Sequence, residues 1–196
     1  MNVLVTSNAI WYVMRASGVV SLVLLTLVTA LGISTRNRWS LPGLPAFATA
    51  GLHRSVSLVA VLFLGLHVAT AVFDPYALVG VTAVLVPFTA GYRALWVGLG
   101  TVSLDLVAVL IVTSLLRSRL SPRVWRTVHW AAYLSWPLAV FHSLGVGTDS
   151  PSTWLRSLAA GCAVVVAIPL AARLWHSGET AKHVEPTRRA GQRAAA

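Results

Sequence analysis

The chain has 196 residues and six histidines, four of which sit where ionisable residues are rare. His53 and His67 lie in one long apolar stretch, and His129 and His142 lie in another. His176 and His183 fall in a polar tail and read as solvated side chains. One imidazole in an apolar helix is explained by a hydrogen bond to a neighbour. Two matched pairs ask for a shared ligand. His53 and His67 are 14 residues apart. On a helix that spacing returns to within roughly 40° of the same face, about 21 Å further along the axis. His129 and His142 are 13 apart. That is about 19.5 Å along the axis but roughly 140° around it. Pro137 lies between them, where it can kink or rewind the helix.

The elements that must carry these residues follow from composition. The chain is 57% hydrophobic and 10% charged, against about 25% charged in soluble domains. With a mean hydropathy of +0.77, too few polar side chains exist to cover a soluble surface. A soluble enzyme and a disordered chain are both excluded, and the length fits one compact unit. Five stretches are apolar enough to span a bilayer, which takes roughly 20 residues: 10–33, 52–73, 96–116, 124–146 and 155–175. Trp11, Trp39, Trp96, Trp125, Trp154 and Trp175 mark their ends, as interfacial aromatic residues do. Residues 77–90 are apolar but only 14 long, with Pro75 and Pro87 close by, which suits a short outer interfacial or re-entrant segment. The expected fold is an all-α membrane protein, a bundle of five transmembrane helices plus that segment, over residues 1–175. Residues 176–196 are polar and basic and read as a disordered cytoplasmic tail.

Charge placement sets the orientation. The formal charge is +10, from 15 Lys and Arg against 5 Asp and Glu. Such a charge suggests either nucleic acid or the basic inner loops of a membrane protein. With five spans and the N-terminus outside, 12 of the 15 basic residues fall on the inner side. Arg15, Arg93 and Arg156 remain outside. A sixth span would put Arg117, Arg119, Arg123 and Arg126 outside and is rejected. The second and fourth spans then run the same way. His53 and His129 share one depth near the cytoplasm, and His67 and His142 share the other. Each pair offers two axial nitrogens for a planar metal macrocycle, which is bis-histidine ligation of haem b in a helical bundle.

The two histidine spacings, the gap between the pairs and the basic inner loops resemble the ferric reductase-like transmembrane domain. That family includes ferric-chelate reductases, NADPH oxidases and the haem-binding subunit of bacterial methionine-sulfoxide reductase. The resemblance implies two stacked haems b, with His53 and His129 as axial ligands of one iron and His67 and His142 of the other. It also implies electron transfer from a cytoplasmic flavoprotein donor to an acceptor at the outer face. The chain holds no Gly-x-Gly-x-x-Gly fingerprint and no room for a dinucleotide-binding unit after residue 175, so a separate donor is expected. It would be an oxidoreductase component without its own flavin and NAD(P)H domains, in the cell membrane. A dedicated subunit of one partner reductase would have the same sites. A proton or metal transporter using the same histidines is the rival of a different class.

Supporting residues can be named. Haem propionates are anionic and seek arginine. Arg54 and Arg126 are candidates at the inner site and Arg15 at the outer one; Arg54 and Arg126 also read as ordinary inner-face anchors. Asp105 is the acid well inside a span, and accepting a ring N–H from a ligand histidine is one role open to it. Gly65, near His67, would let a flat macrocycle approach its helix.

Overall fold

The computed structural model describes residues 2–36, 45–75, 77–149 and 151–194. Arg38 and Trp39, and the side chains of Arg36 and of residues 176–196, lie outside what is described. Seven helices make up the described residues: α1 (Asn2–Arg36), α2 (Ala46–Phe73), α3 (Val81–Leu85), α4 (Ala94–Leu115), α5 (Pro122–His129), α6 (Ala132–Val146) and α7 (Thr153–Ala194). The chain is an all-α membrane protein. Among the described residues four helices are long and apolar enough to cross a bilayer, at Asn8–Thr35, Phe47–Phe73, Ala94–Leu115 and Thr153–Trp175. They match four of the five expected spans. The backbone of α7 continues as helix to Ala194, and the tail expected to be disordered lies in that continuation.

The fifth expected span, 124–146, is not one helix. It is divided into α5 and α6 at Trp130 and Ala131. Four i→i+3 backbone bonds tighten the chain there, from Trp130 N to Thr127 O through Leu134 N to Ala131 O. Pro137 sits inside α6. It has no N–H for the carbonyl of Tyr133, and its ring crowds that carbonyl, so the helix is weakened on the N-terminal side of the proline. The break falls one to two turns upstream of the residue that sequence pointed to. The short segment is as expected in kind: α3 has five residues and does not span. Ala83 and Ala90 are buried with Val97 of α4, against Val79 and Val146. Thr101 Oγ1 donates to Ala83 O at 2.7 Å and ties the segment to α4.

Two antiparallel pairs, α1 with α2 and α4 with α6, form the bundle, joined where α1 meets α6 and flanked by α7 against α1. Small polar residues allow α1 its central place: Ser17, Ser21 and Thr26 are buried. Ser21 and Thr26 return their hydroxyls to the carbonyl four residues back at 2.7 Å, so no donor is left bare in a solvent that accepts none. Thr26 also accepts from Trp136 Nε1 at 2.9 Å, joining α1 to α6. The outward faces are apolar: Leu58 and Leu62 of α2 are 66% and 70% exposed. In water that pattern would be a fault, but in lipid the same exposure needs no compensation.

Candidate functional site

Three of the four span histidines are held in one way. His67 Nδ1 lies 2.8 Å from Met14 O of α1. His53 Nδ1 lies 3.1 Å from Val28 O of the same helix. His142 Nδ1 lies 2.8 Å from Trp96 O of α4. A carbonyl oxygen only accepts, so each Nδ1 must carry the proton. In the neutral ring the lone pair is then on Nε2. Holding one ring nitrogen to orient the other is how proteins prepare a histidine as a metal ligand.

His67 and His142 come together. Their ring centroids are 6.4 Å apart and their planes are inclined at 75°. Two metal–imidazole bonds of about 2 Å each, plus the depth of two rings, put centroids roughly 6 Å apart when a metal lies between them. The separation therefore matches a metal held on one axis by two imidazoles. Among the described residues no group of three or more His, Cys, Asp or Glu could hold a metal ion. A bare ion with two ligands is under-coordinated. A metal that brings its own equatorial ring needs only the axial pair, and this donor set fits haem. Both rings line a cavity of about 480 Å³, within the range of about 300–1,000 Å³ for small-molecule sites. Its wall is mostly apolar, with Leu22, Leu25, Leu64, Val97 and Leu104 among the lining residues.

The mouth of the cavity is polar. Arg15 lines it and forms an ion pair with Asp149. Its guanidinium also lies 4.1 Å from the Trp11 ring centroid. Asp149 is presented by the α6–α7 loop, where its carbonyl accepts from Ser152 N at 2.7 Å. So Arg15 is at the site that sequence suggested, but a carboxylate of this chain already engages it. Nearby, Arg93 starts α4 in the left-handed region with φ 42°. It donates to Gly145 O at 2.5 Å, fixing the start of α4 to the end of α6.

The other expected site residues are not gathered in the same way. His53 lies on α2 and His129 on α5. His129 ends α5 and stacks on Trp125, with centroids 4.6 Å apart and planes 22° apart. Arg54 is exposed beside His53. Arg126 is exposed and donates from Nε to Pro122 O of its own helix at 3.1 Å. Asp105 is exposed on α4 and does not line the cavity. Backbone carbonyls take the ring N–H of His53, His67 and His142, so Asp105 is not their acceptor. Gly65 is exposed with open space where a Cβ would lie, and it does not line the cavity.

The glycines that matter lie on the facing helices, and sequence reasoning missed them. Gly18 and Gly32 of α1 and Gly100 of α4 each lie against a histidine ring. A signal was present: Gly18 and Gly32 are 14 residues apart, the spacing of His53 and His67.

Comparison with known families matches residues 17–140 to the ferric reductase like transmembrane component. The matched stretch contains His53, His67 and His129 and stops just short of His142. No curated protein and no solved structure matches the chain. The match covers more than half of the residues, over the helices that build the cavity. The chain belongs to the ferric reductase-like transmembrane family, whose members are membrane-embedded oxidoreductase components that exchange electrons with redox partners.

Proposed function

We propose that this protein is a transmembrane electron-transfer component that binds haem b between His67 and His142, with His53 and His129 as the axial ligands of a second haem. Electrons enter from a cytoplasmic flavoprotein and leave to an acceptor at the outer face. The observation that carries this reading is the His67–His142 pair, with both Nδ1 atoms held by carbonyls and centroids 6.4 Å apart over a 480 Å³ cavity. Bound there, haem would supply one-electron exchange between ferric and ferrous iron.

The residues of the chain do the rest. His67 and His142 offer neutral Nε2 atoms in fixed positions, so ligation needs no ring to turn and no proton to leave. The leucine and valine wall keeps water from the centre, which strengthens every charge interaction inside. Arg15, at the mouth, supplies the positive charge toward an anionic substituent, in competition with Asp149. The placement of 12 of 15 basic residues on one side supports a multi-pass protein of the cell membrane with its C-terminus in the cytoplasm. It also suits that face to docking an acidic donor.

The test is the visible spectrum of the purified protein, oxidised and then reduced with dithionite. The expected result is a b-type spectrum with about two haems per chain. A protein that stays colourless after reconstitution with haem contradicts the reading.

A further inference from the structure

The three histidines bonded to carbonyls share a further relation, which concerns the chain's own residues and rests on the haem reading only for its functional meaning. A Cβ built on Gly18 would lie 2.8 Å from Cε1 and 2.9 Å from Nδ1 of His67. On Gly32 it would lie 3.3 Å from Cε1 of His53. On Gly100 it would run into the ring of His142. In every case the carbonyl that takes the ring proton belongs to the residue four before the glycine: Met14 before Gly18, Val28 before Gly32, Trp96 before Gly100. That carbonyl is the one the glycine's own N–H bonds within the helix. The imidazole thus occupies the space of the missing side chain and shares its acceptor with the turn beneath. The arrangement occurs twice along α1 and once on α4, with ligands on two different helices, so helix packing at one point does not account for it.

We infer that Gly18, Gly32 and Gly100 are positioning residues for the haem ligands. Each removes the side chain that would hold the ring away from the carbonyl, and so fixes the tautomer and the plane of its histidine. Methyl groups at Gly18 and Gly100 fall inside the distance that real Cβ atoms keep, and the contacting ring cannot shift without leaving its carbonyl. At Gly32 the clash is milder, and the effect of a methyl there should be smaller. Glycine in a helix interior is otherwise unfavourable by up to about 1 kcal/mol relative to alanine. A Gly→Ala change should therefore stabilise the helix unless something occupies that space.

The experiment compares Gly18→Ala and Gly100→Ala with Gly65→Ala, a helical glycine facing open space. Haem per chain, the low-temperature electron paramagnetic resonance of the ferric protein and the melting temperature in detergent are read. Gly18→Ala and Gly100→Ala are each expected to lose one haem of two, or to keep it with an altered resonance. Gly65→Ala should change neither. Gly18→Ala is then made in a His67→Ala background. With the ring gone, the three atoms nearest the added methyl are gone as well, so the double variant should match His67→Ala in haem content and melt no lower. If Gly18→Ala alone does not fold, recovery of folding in the double variant supports the proposal, and failure to recover overturns it. A further loss in the double variant, or an unchanged Gly18→Ala, also overturns it. A wild-type protein without haem would defeat the functional reading, while the coupling of Gly18 to His67 would still be decided by melting temperature.

Discussion

His67 and His142 reach toward one another from α2 and α6 with their ring planes 75° apart. Neither plane is set by the partner ring. The backbone of α1 fixes one through Met14 O, and the backbone of α4 fixes the other through Trp96 O. Because two separate helices hold the rings, insertion of a flat group between them leaves the angle in place. Crossed imidazole planes leave the iron d orbitals nearly degenerate, which makes a low-spin ferric centre strongly anisotropic. The ferric protein is expected to show such a signal in electron paramagnetic resonance, and it should disappear in His142→Ala. A wholly rhombic spectrum of the parallel-plane kind would contradict the geometry.

Charge at the cavity mouth should tune the site with a definite sign. Arg15→Gln removes a positive charge, favours the ferric state and lowers the midpoint potential. Asp149→Asn removes the opposing negative charge and raises it. Each shift is expected on the order of tens of millivolts, from charges acting at partly screened range. Potentiometric titration of the purified variants checks this, and shifts of the same sign in both would refute it.

The bond from Trp136 Nε1 to Thr26 Oγ1 joins the two helix pairs at a depth where no water substitutes for it. Trp136→Phe keeps the aromatic bulk and loses the donor. Interhelical hydrogen bonds in membranes average about 0.6 kcal/mol and reach about 1.7. The expected loss of unfolding free energy is within that range, measured in mixed micelles with added denaturing detergent. Haem content should stay at its wild-type value.

The two haem sites should differ in retention. α4 and α6 keep one antiparallel register, seen where Ser103 Oγ donates to Ser135 O and His142 to Trp96 O. His129 lies on α5, beyond the break at Trp130 and Ala131 where that register ends. His129 instead stacks on Trp125 at the end of an eight-residue helix. On extended detergent washing the His53/His129 site is expected to lose haem first. In His67→Ala and His142→Ala, the haem that remains should therefore wash out faster than in the wild type as a whole.

Much of this was legible in the chain, because lipid imposes few solutions. Four of the spans, the non-spanning segment after Asp74 and the shared end for His67 and His142 follow from apolar length, charge placement and helical spacing. The break at Trp130 did not, since hydropathy is blind to backbone continuity and Pro137 marks the strain only to within a turn or two. Asp149 was missed as the partner of Arg15 because the loop that presents it is not fixed by any periodic pattern. The glycines were hidden for another reason. Glycine is common in membrane helices, and Gly18 and Gly32 acquire meaning only once α1 is set antiparallel to α2, so that their shared 14-residue spacing falls opposite His67 and His53.

The central claim is that His67 and His142 hold one haem between them. Haem per chain in His67→Ala, His142→Ala and the double variant tests it most directly. The account predicts about one haem per chain in all three, against about two in the wild type, with the same remaining spectrum in each. A double variant that loses both haems while each single variant loses one would mean that the two histidines serve different groups, and would contradict it.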